Sequence, residues 1–266
     1  MDRLHPASVP SVAHCFVDAP DSASGVVDAA TIADGDGHHL ARVLRVRVGD
    51  VVTIADGRGA WRPGRVRAVD GAVIGWVADG AVRIEPVVPP GIAVAFALGK
   101  GDRPERVVRQ LTELGVDRIR PVTTVRTVVR WDATKVAAAH ARFVRVAREA
   151  AMQSRRARLP RVDAPVPLTD LAGEDGLLVG APDAPGFRQL PPRSDTGPGP
   201  RGVGDPAVWT AVVGPEGGFA PGELEALGPY RTVAVGPTVL RTETAPVAIA
   251  AVLSARRADD SWQILR

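Results

Sequence analysis

The spacing of apolar residues changes once along this chain, at the Pro-rich stretch "EPVVPPG" (residues 85–91). Before it, "VRVGDVVTIADGRGAWRPGRVRAVDGAVIGWVA" alternates apolar and polar residues, the period of half-buried strands. "DGRG" at 56–59 and "DG" at 70–71 interrupt the alternation, and glycine accepts the positive φ that tight hairpins need. Short strands at this spacing predict a small β-barrel over residues 1–85. After the hinge, "IAVAFAL" (92–98) is unbroken and apolar, as in a strand buried on both faces. "DRPERVVRQLTELG" then reads as a helix. Pro104 suits its first turn and Glu105 its positive dipole end. Val107, Val108, Leu111 and Leu114 share one face, and Gly115 fits the C-terminal cap.

Strand and helix patterns go on alternating to the end of the chain. "RIRPVTT", "GLLVGAP" (176–182), "AVWTAVVG" (207–214) and "RTVAVG" (231–236) read as strands. Helices fit residues 133–153, 221–227 and 246–258. The alternation predicts an α/β domain over residues 86–266, with a mostly parallel sheet. "APGFRQLPPRSDTGPGPRGVGDP" (184–206), rich in Pro and Gly, predicts a surface loop.

Composition narrows the functional classes. Cys15 is the only cysteine, so neither an internal disulfide nor a cysteine-based metal cluster can form. No apolar run approaches the ~18 residues of a membrane span, and the first residues lack a signal-peptide core. A cytoplasmic, metal-free protein is expected, with no membrane partner. The basic residues number 33, only Lys100 and Lys135 among them being lysine, and the pI of 9.7 suits a polyanionic partner.

Two features carry chemistry. Three predicted strands end on glycine: Gly180, Gly214 in "VVGPEGGF", and Gly236 in "VAVGPTVLRTETAP". In a parallel sheet, ligands sit beyond the carboxyl ends of strands, and glycine lets backbone groups approach them. The loops match neither the Walker phosphate loop nor G-x-G-x-x-G. The second feature is "RFVRVAREAAMQSRRARLPR" (142–161), whose arginines at 142, 145 and 148 form a helical stripe. Arg155, Arg156 and Arg158 extend it, which favours phosphate contacts. His38 and His39 are adjacent, which in a strand points them to opposite faces and argues against a metal pair.

The segments "HHLARVLRVRVGD", "ELGVDRIRPVTTVRTVVRW", "EAAMQSRRARLP", "VGPEGGFAPGELE" and "VGPTVLRTETA" occur in that order. With them the chain resembles the RsmE family of ribosomal RNA methyltransferases, in the knotted SPOUT class. The resemblance implies a PUA-like barrel that helps hold RNA, and an α/β domain whose end threads a trefoil knot, with helices on both faces of its sheet. It implies a homodimer, S-adenosylmethionine (SAM) as methyl donor, and N3 of one uridine in 16S ribosomal RNA, or in the 30S subunit, as acceptor. Cofactor contacts would come from Val179, Gly180, Val213, Gly214, Pro215, Glu216, Gly217, Gly218, Val235, Gly236, Leu240 and Thr242. Arg241 and Glu243 would be catalytic. Arg126, Arg148, Gln153, Ser154, Arg155 and Arg156 would meet RNA. The family pattern is broken at Met152, Thr127 and Arg155, which touches RNA contact but not the cofactor loops. An inactive RNA-binding relative and a ribose 2′-O methylase are the alternatives. The intact "GPEGG" and "LRTETA" argue against the first, and the barrel, "ELGV" and "QSRR" against the second. On physical grounds alone, Thr242 or Thr244 can cap a helix begun by Pro246.

Overall fold

The computed structural model describes residues 5–17, 28–186 and 208–264. The predicted surface loop falls almost wholly outside them. The chain forms two compact units: Met1–Val87 with Arg148–Leu159, and Val88–Ala147 with Pro160–Arg266.

The first unit holds strands β1 (Ala13–Phe16), β2 (Ala29–Ile32), β3 (Val51–Ala55), β4 (Ala60–Asp70), β5 (Val73–Ala78) and β6 (Arg83–Ile84), with a short helix α1 (Asp34–His38). Their order is β1-β3-β4-β5-β2, with β6 on β4; β1 runs parallel to β3 and the other ladders are antiparallel. Both expected hairpin turns are present. Asp56 Oδ1 accepts from the N–H groups of Arg58 (2.7 Å) and Ala60 (3.0 Å), and Gly71 supplies a φ of 58°. Trp61, Trp76, Ile54 and Ile74 fill the interior. A side chain at Gly64 would come within 2.1 Å of the Trp76 ring, so that indole dictates the glycine. His38 and His39 stand in α1 and the π-turn after it rather than in a strand, and both are exposed.

The second unit is α/β. Its strands are β7 (Gly91–Ala97), β8 (Arg118–Thr123), β9 (Arg161–Val162), β10 (Val166–Pro167), β11 (Leu177–Gly180), β12 (Val208–Val213) and β13 (Tyr230–Val233). The order is β10-β8-β7-β12-β11-β13 with β9 on β8, and every ladder among the described residues is parallel. Helices are α2 (Arg103–Glu113), α3 (Ala133–Gln153) and α4 (Thr244–Ile264). Ile92, Val94 and Phe96 of β7 join Val107 and Leu111 of α2, Phe143 of α3, and Ile249 and Leu253 of α4 in one core. Ala95, Val122, Val179 and Val212 form a second, covered by Leu168, Leu171 and Leu227 from 3₁₀ turns. The helix expected over 221–227 is only such a turn, Glu225–Leu227, because Gly222 adopts a φ of 82° and breaks the helical run. Among the described residues, no helix is long and apolar enough to cross a membrane.

Candidate active site

Strand register brings the three glycine-bearing ends to one level. Val212 lies opposite Val179, Val179 opposite Thr232, and Gly180 opposite Val233. Gly180, Gly214 and the 234–236 turn therefore share the carboxyl edge of β11-β12-β13. The glycines are there for different reasons. A Cβ on Gly180 would lie 3.0 Å from Ile249 Cδ1, so this glycine admits α4 against the sheet. One on Gly214 would lie 2.9 Å from the Phe219 ring, which folds back over its own loop. Gly218, with a φ of 69°, closes a turn in which its N–H donates to Pro215 O at 2.8 Å. Among the described residues, an added Cβ at Gly218 or at Gly236 would meet nothing within 4 Å. These two positions border open space. Val179 and Val213 are buried and face the cores, so they offer the edge only backbone; Pro215 and Thr242 are buried, while Glu216, Gly217 and Val235 are exposed and Leu240 is half-buried.

Three charged side chains converge at this edge. Arg103, at the start of α2, places Nη1 at 3.1 Å from Glu216 Oε1 and 3.8 Å from Glu243 Oε2. Glu243 Oε2 is buried and, among the described residues, accepts no hydrogen bond. A buried carboxylate oxygen without a donor is costly, and at a ligand edge it marks where a donor should arrive. Arg241 is exposed, and its carbonyl accepts from the N–H groups of Thr244 and Ala245, both at 2.9 Å. That carbonyl accepts the first hydrogen bonds of α4. Among the described residues no group of His, Cys, Asp and Glu converges as a metal site would.

The sequence itself now places the chain. Residues 88–254 match the RNA methyltransferase domain family and residues 32–72 the RNA methyltransferase PUA domain family. The chain is 38% identical over 238 residues to the ribosomal RNA small subunit methyltransferase E of Mycobacterium bovis, covering 84% of this chain and 86% of that one. The chain belongs to the ribosomal RNA small subunit methyltransferase E family. A second member of that family, from Synechocystis, is 30% identical over 262 residues, covering 92% and 78% of the two chains. Of solved structures, a Legionella pneumophila methyltransferase with bound SAM is 26% identical with a TM-score of 0.77, covering 93% of this chain and 98% of that one. The family's E enzyme from Neisseria gonorrhoeae, at 24% identity and a TM-score of 0.72 over 91% and 97% of the chains, has the same fold.

For this methyltransferase family member, the residues expected to meet RNA fall in two groups. Arg126 Nη1 donates to the Gly217 carbonyl at 2.6 Å, and Glu223 accepts from Val125 N–H at 2.7 Å and Ala220 N–H at 2.6 Å. The pair braces the "GPEGG" loop against the loop after β8. Sequence reasoning missed both Glu223 and Arg103. Arg148 Nη2 donates to Phe16 O and to Asp36, and its guanidinium lies over the Phe16 ring. Ser154 Oγ donates to Ala150 O, Arg155 Nη2 to Ser11 O at 2.6 Å, and Arg156 is 9% exposed. Within the first unit the chain turns at Arg155, at a φ of 56°, and the guanidinium groups of Arg148, Arg155 and Arg158 donate to backbone carbonyls, while Arg142, in the second unit, pairs with Glu105. Gln153 remains exposed.

Proposed function

We propose that this chain is a SAM-dependent methyltransferase that modifies N3 of one uridine in 16S ribosomal RNA, as naked RNA or in the 30S subunit. The observation that carries the reading is the coincidence, at one sheet edge and among the described residues, of open space beside Gly218 and Gly236 with a buried Glu243 Oε2 that accepts no hydrogen bond. Backbone groups of 179–180, 213–218 and 235–240, with Thr242, would hold SAM. The donor set fits: carbonyl and N–H groups suit the adenine and ribose edges, and nearby carboxylates suit an ammonium group. When bound, SAM supplies a methyl group already activated by its sulfonium charge.

The chain's own residues then have two tasks. N3 of uracil must lose its proton, and the ring must be aligned in line with the methyl. Glu243 Oε2 is the acceptor for that proton. Arg241, exposed at the same edge, donates to a uracil carbonyl and stabilises the charge that develops there. Arg103 is a positioning residue that ties Glu216 and Glu243 to the start of α2. We read the first unit as the RNA-holding domain and the second as the catalytic domain. We also read the 234–243 segment as the threaded part of a trefoil knot, and the active form as a cytoplasmic homodimer. Val235 and Val239, the latter 81% exposed, offer apolar surface to a second copy.

The test is methyl transfer from labelled SAM to small-subunit RNA, followed by reverse transcription and nucleoside mass spectrometry. A methyl on N3 blocks base pairing and stops the transcriptase at one uridine. Methylation of a ribose, or none, would sink the reading.

A further inference from the structure

A cavity of about 400 Å³ opens beyond the carboxyl ends of β8 and β10. Its lining includes Thr123, Thr124, Thr169, Arg130, Trp131 and Glu223. Register sets its position: Val213 lies opposite Phe96, and Ala97 opposite Val122. Thr123 is therefore within one residue of the level of Gly214. Only β7 stands between β8 and β12, so the cavity lies about 10 Å from the glycine edge at the usual strand spacing. One or two nucleotides of an unstacked strand cover that distance.

The lining has the chemistry of a nucleobase site. Trp131 is half-buried, packs in part on the core of the second unit, and also lines the cavity. It immediately precedes α3, whose start is fixed by Asp132: Oδ1 accepts from Lys135 N–H at 2.8 Å and the carbonyl from Val136 N–H at 3.0 Å. The backbone beside Trp131 is fixed and its indole packs in part on the core, which restricts it before any ligand arrives and lowers the ordering cost of stacking. The hydroxyls of Thr123 and Thr124, hydrogen-bonded to Val166 O and Thr127 Oγ1, keep lone pairs that can accept along a base edge, and Arg130 is exposed where a phosphate would lie. The volume is in the range of small-ligand sites and exceeds what one base needs, so ordered water can share it. Glu223 links this cavity to the reaction edge. The carboxylate that lines it also holds Val125 and Ala220, so a base seated here touches the brace of the "GPEGG" loop.

We infer that this cavity receives an unstacked base of the RNA strand beside the methylated uridine, stacked on Trp131. The inference rests on the RNA acceptor proposed above. The experiment measures equilibrium binding of the full-length chain, with S-adenosylhomocysteine present so that no methyl is transferred, to a small-subunit RNA fragment containing the acceptor uridine. The fragment carries a single abasic nucleotide, moved through the flanking positions. For the parent, one position should weaken binding roughly ten-fold, the size expected for one lost stacking contact. Trp131→Leu, which keeps apolar bulk, should bind the intact RNA ten-fold more weakly and lose its sensitivity at that position. Trp131→Phe should keep most of both. SAM affinity should be equal in all three. A Trp131→Leu abasic profile identical to the parent's would overturn the assignment. So would that same profile with a changed sedimentation coefficient, which would give the cavity to a contact between two copies. A parent chain that neither binds nor methylates small-subunit RNA would refute the proposed function itself, a result separable from an unaltered abasic profile.

Discussion

Replacing Gly236 with alanine should change stability and cofactor binding in opposite directions. The φ of Gly236 lies outside the left-handed region, and among the described residues a Cβ there meets nothing within 4 Å. Folding of the free protein should therefore shift by no more than about 1 kcal/mol, and upward, because alanine restricts the unfolded chain. If backbone at 235–240 wraps SAM, the same methyl group intrudes on the ligand and affinity should fall at least ten-fold, or about 1.4 kcal/mol. Thermal melts with and without SAM separate the two effects. At a ligand concentration 100 times the parent's Kd, SAM should stabilise the parent by about 2.7 kcal/mol, and ten-fold weaker binding removes roughly half of that. Titration calorimetry gives the affinity directly. Gly218 is a poorer probe, since its φ of 69° would strain any side chain by about 1–2 kcal/mol whatever the ligand does. Gly236→Ala with the parent's SAM affinity would move the cofactor away from this loop.

Arg241→Ala should lower the single-turnover methylation rate about a hundred-fold with SAM affinity nearly unchanged; loss confined to SAM binding would end its catalytic role. Glu243→Gln should lower the rate and flatten its pH dependence, which stopped-flow measurement across pH would reveal. Arg126→Ala should weaken SAM binding several-fold by freeing the Gly217 carbonyl, while the salt dependence of RNA binding stays as in the parent; a shallower salt slope would restore it to the RNA contacts. His14 is buried, with Nδ1 at 2.8 Å from Thr53 Oγ1 and Nε2 at 2.9 Å from Arg156 O, and burial pushes its pKa down to about 4. The unfolded chain, titrating near 6.5, then binds the proton more tightly. Stability of the first unit should be full above pH 6.5 and fall by about 3 kcal/mol as pH drops to 4. Hydrogen exchange on first-unit peptides would show this, and His14→Gln should remove the slope.

The parts of the fold with a local cause were legible. The run at 92–98, the amphipathic α2 with Pro104 and Gly115 at its ends, and the hairpin glycines follow from neighbours within a few residues. The glycine strand ends were legible for the same reason. What the sequence hid is long-range pairing. Arg103 lies 113 residues from Glu216, and Glu223 lies 98 from Val125, and no spacing rule connects them. The arginines of 142–158 show the same limit from the opposite side. Helical periodicity put Arg142, Arg145 and Arg148 in one stripe, but the partners of Arg148 and Arg155, Phe16 and Ser11, lie 132 and 144 residues upstream. Charge in a sequence announces a guanidinium; only the fold says whether solvent, phosphate or a carbonyl receives it.

The first unit draws on two separated stretches of chain, and this governs the timing of its assembly. Phe16, Ala55 and Trp61 pack against Ala151 and Ala157, and His14 bonds to the carbonyl of Arg156. A ribosome that has just finished residue 87 has made every described strand of that sheet, yet none of the segment that packs on Phe16, Ala55 and Trp61. At about 5–20 residues per second, completing residues 88–159 takes several seconds more. The nascent sheet waits through that interval with an open apolar flank, so chaperone occupancy on stalled nascent chains should peak between these two lengths. A gene fragment cut at the Pro-rich hinge would inherit the same open flank permanently.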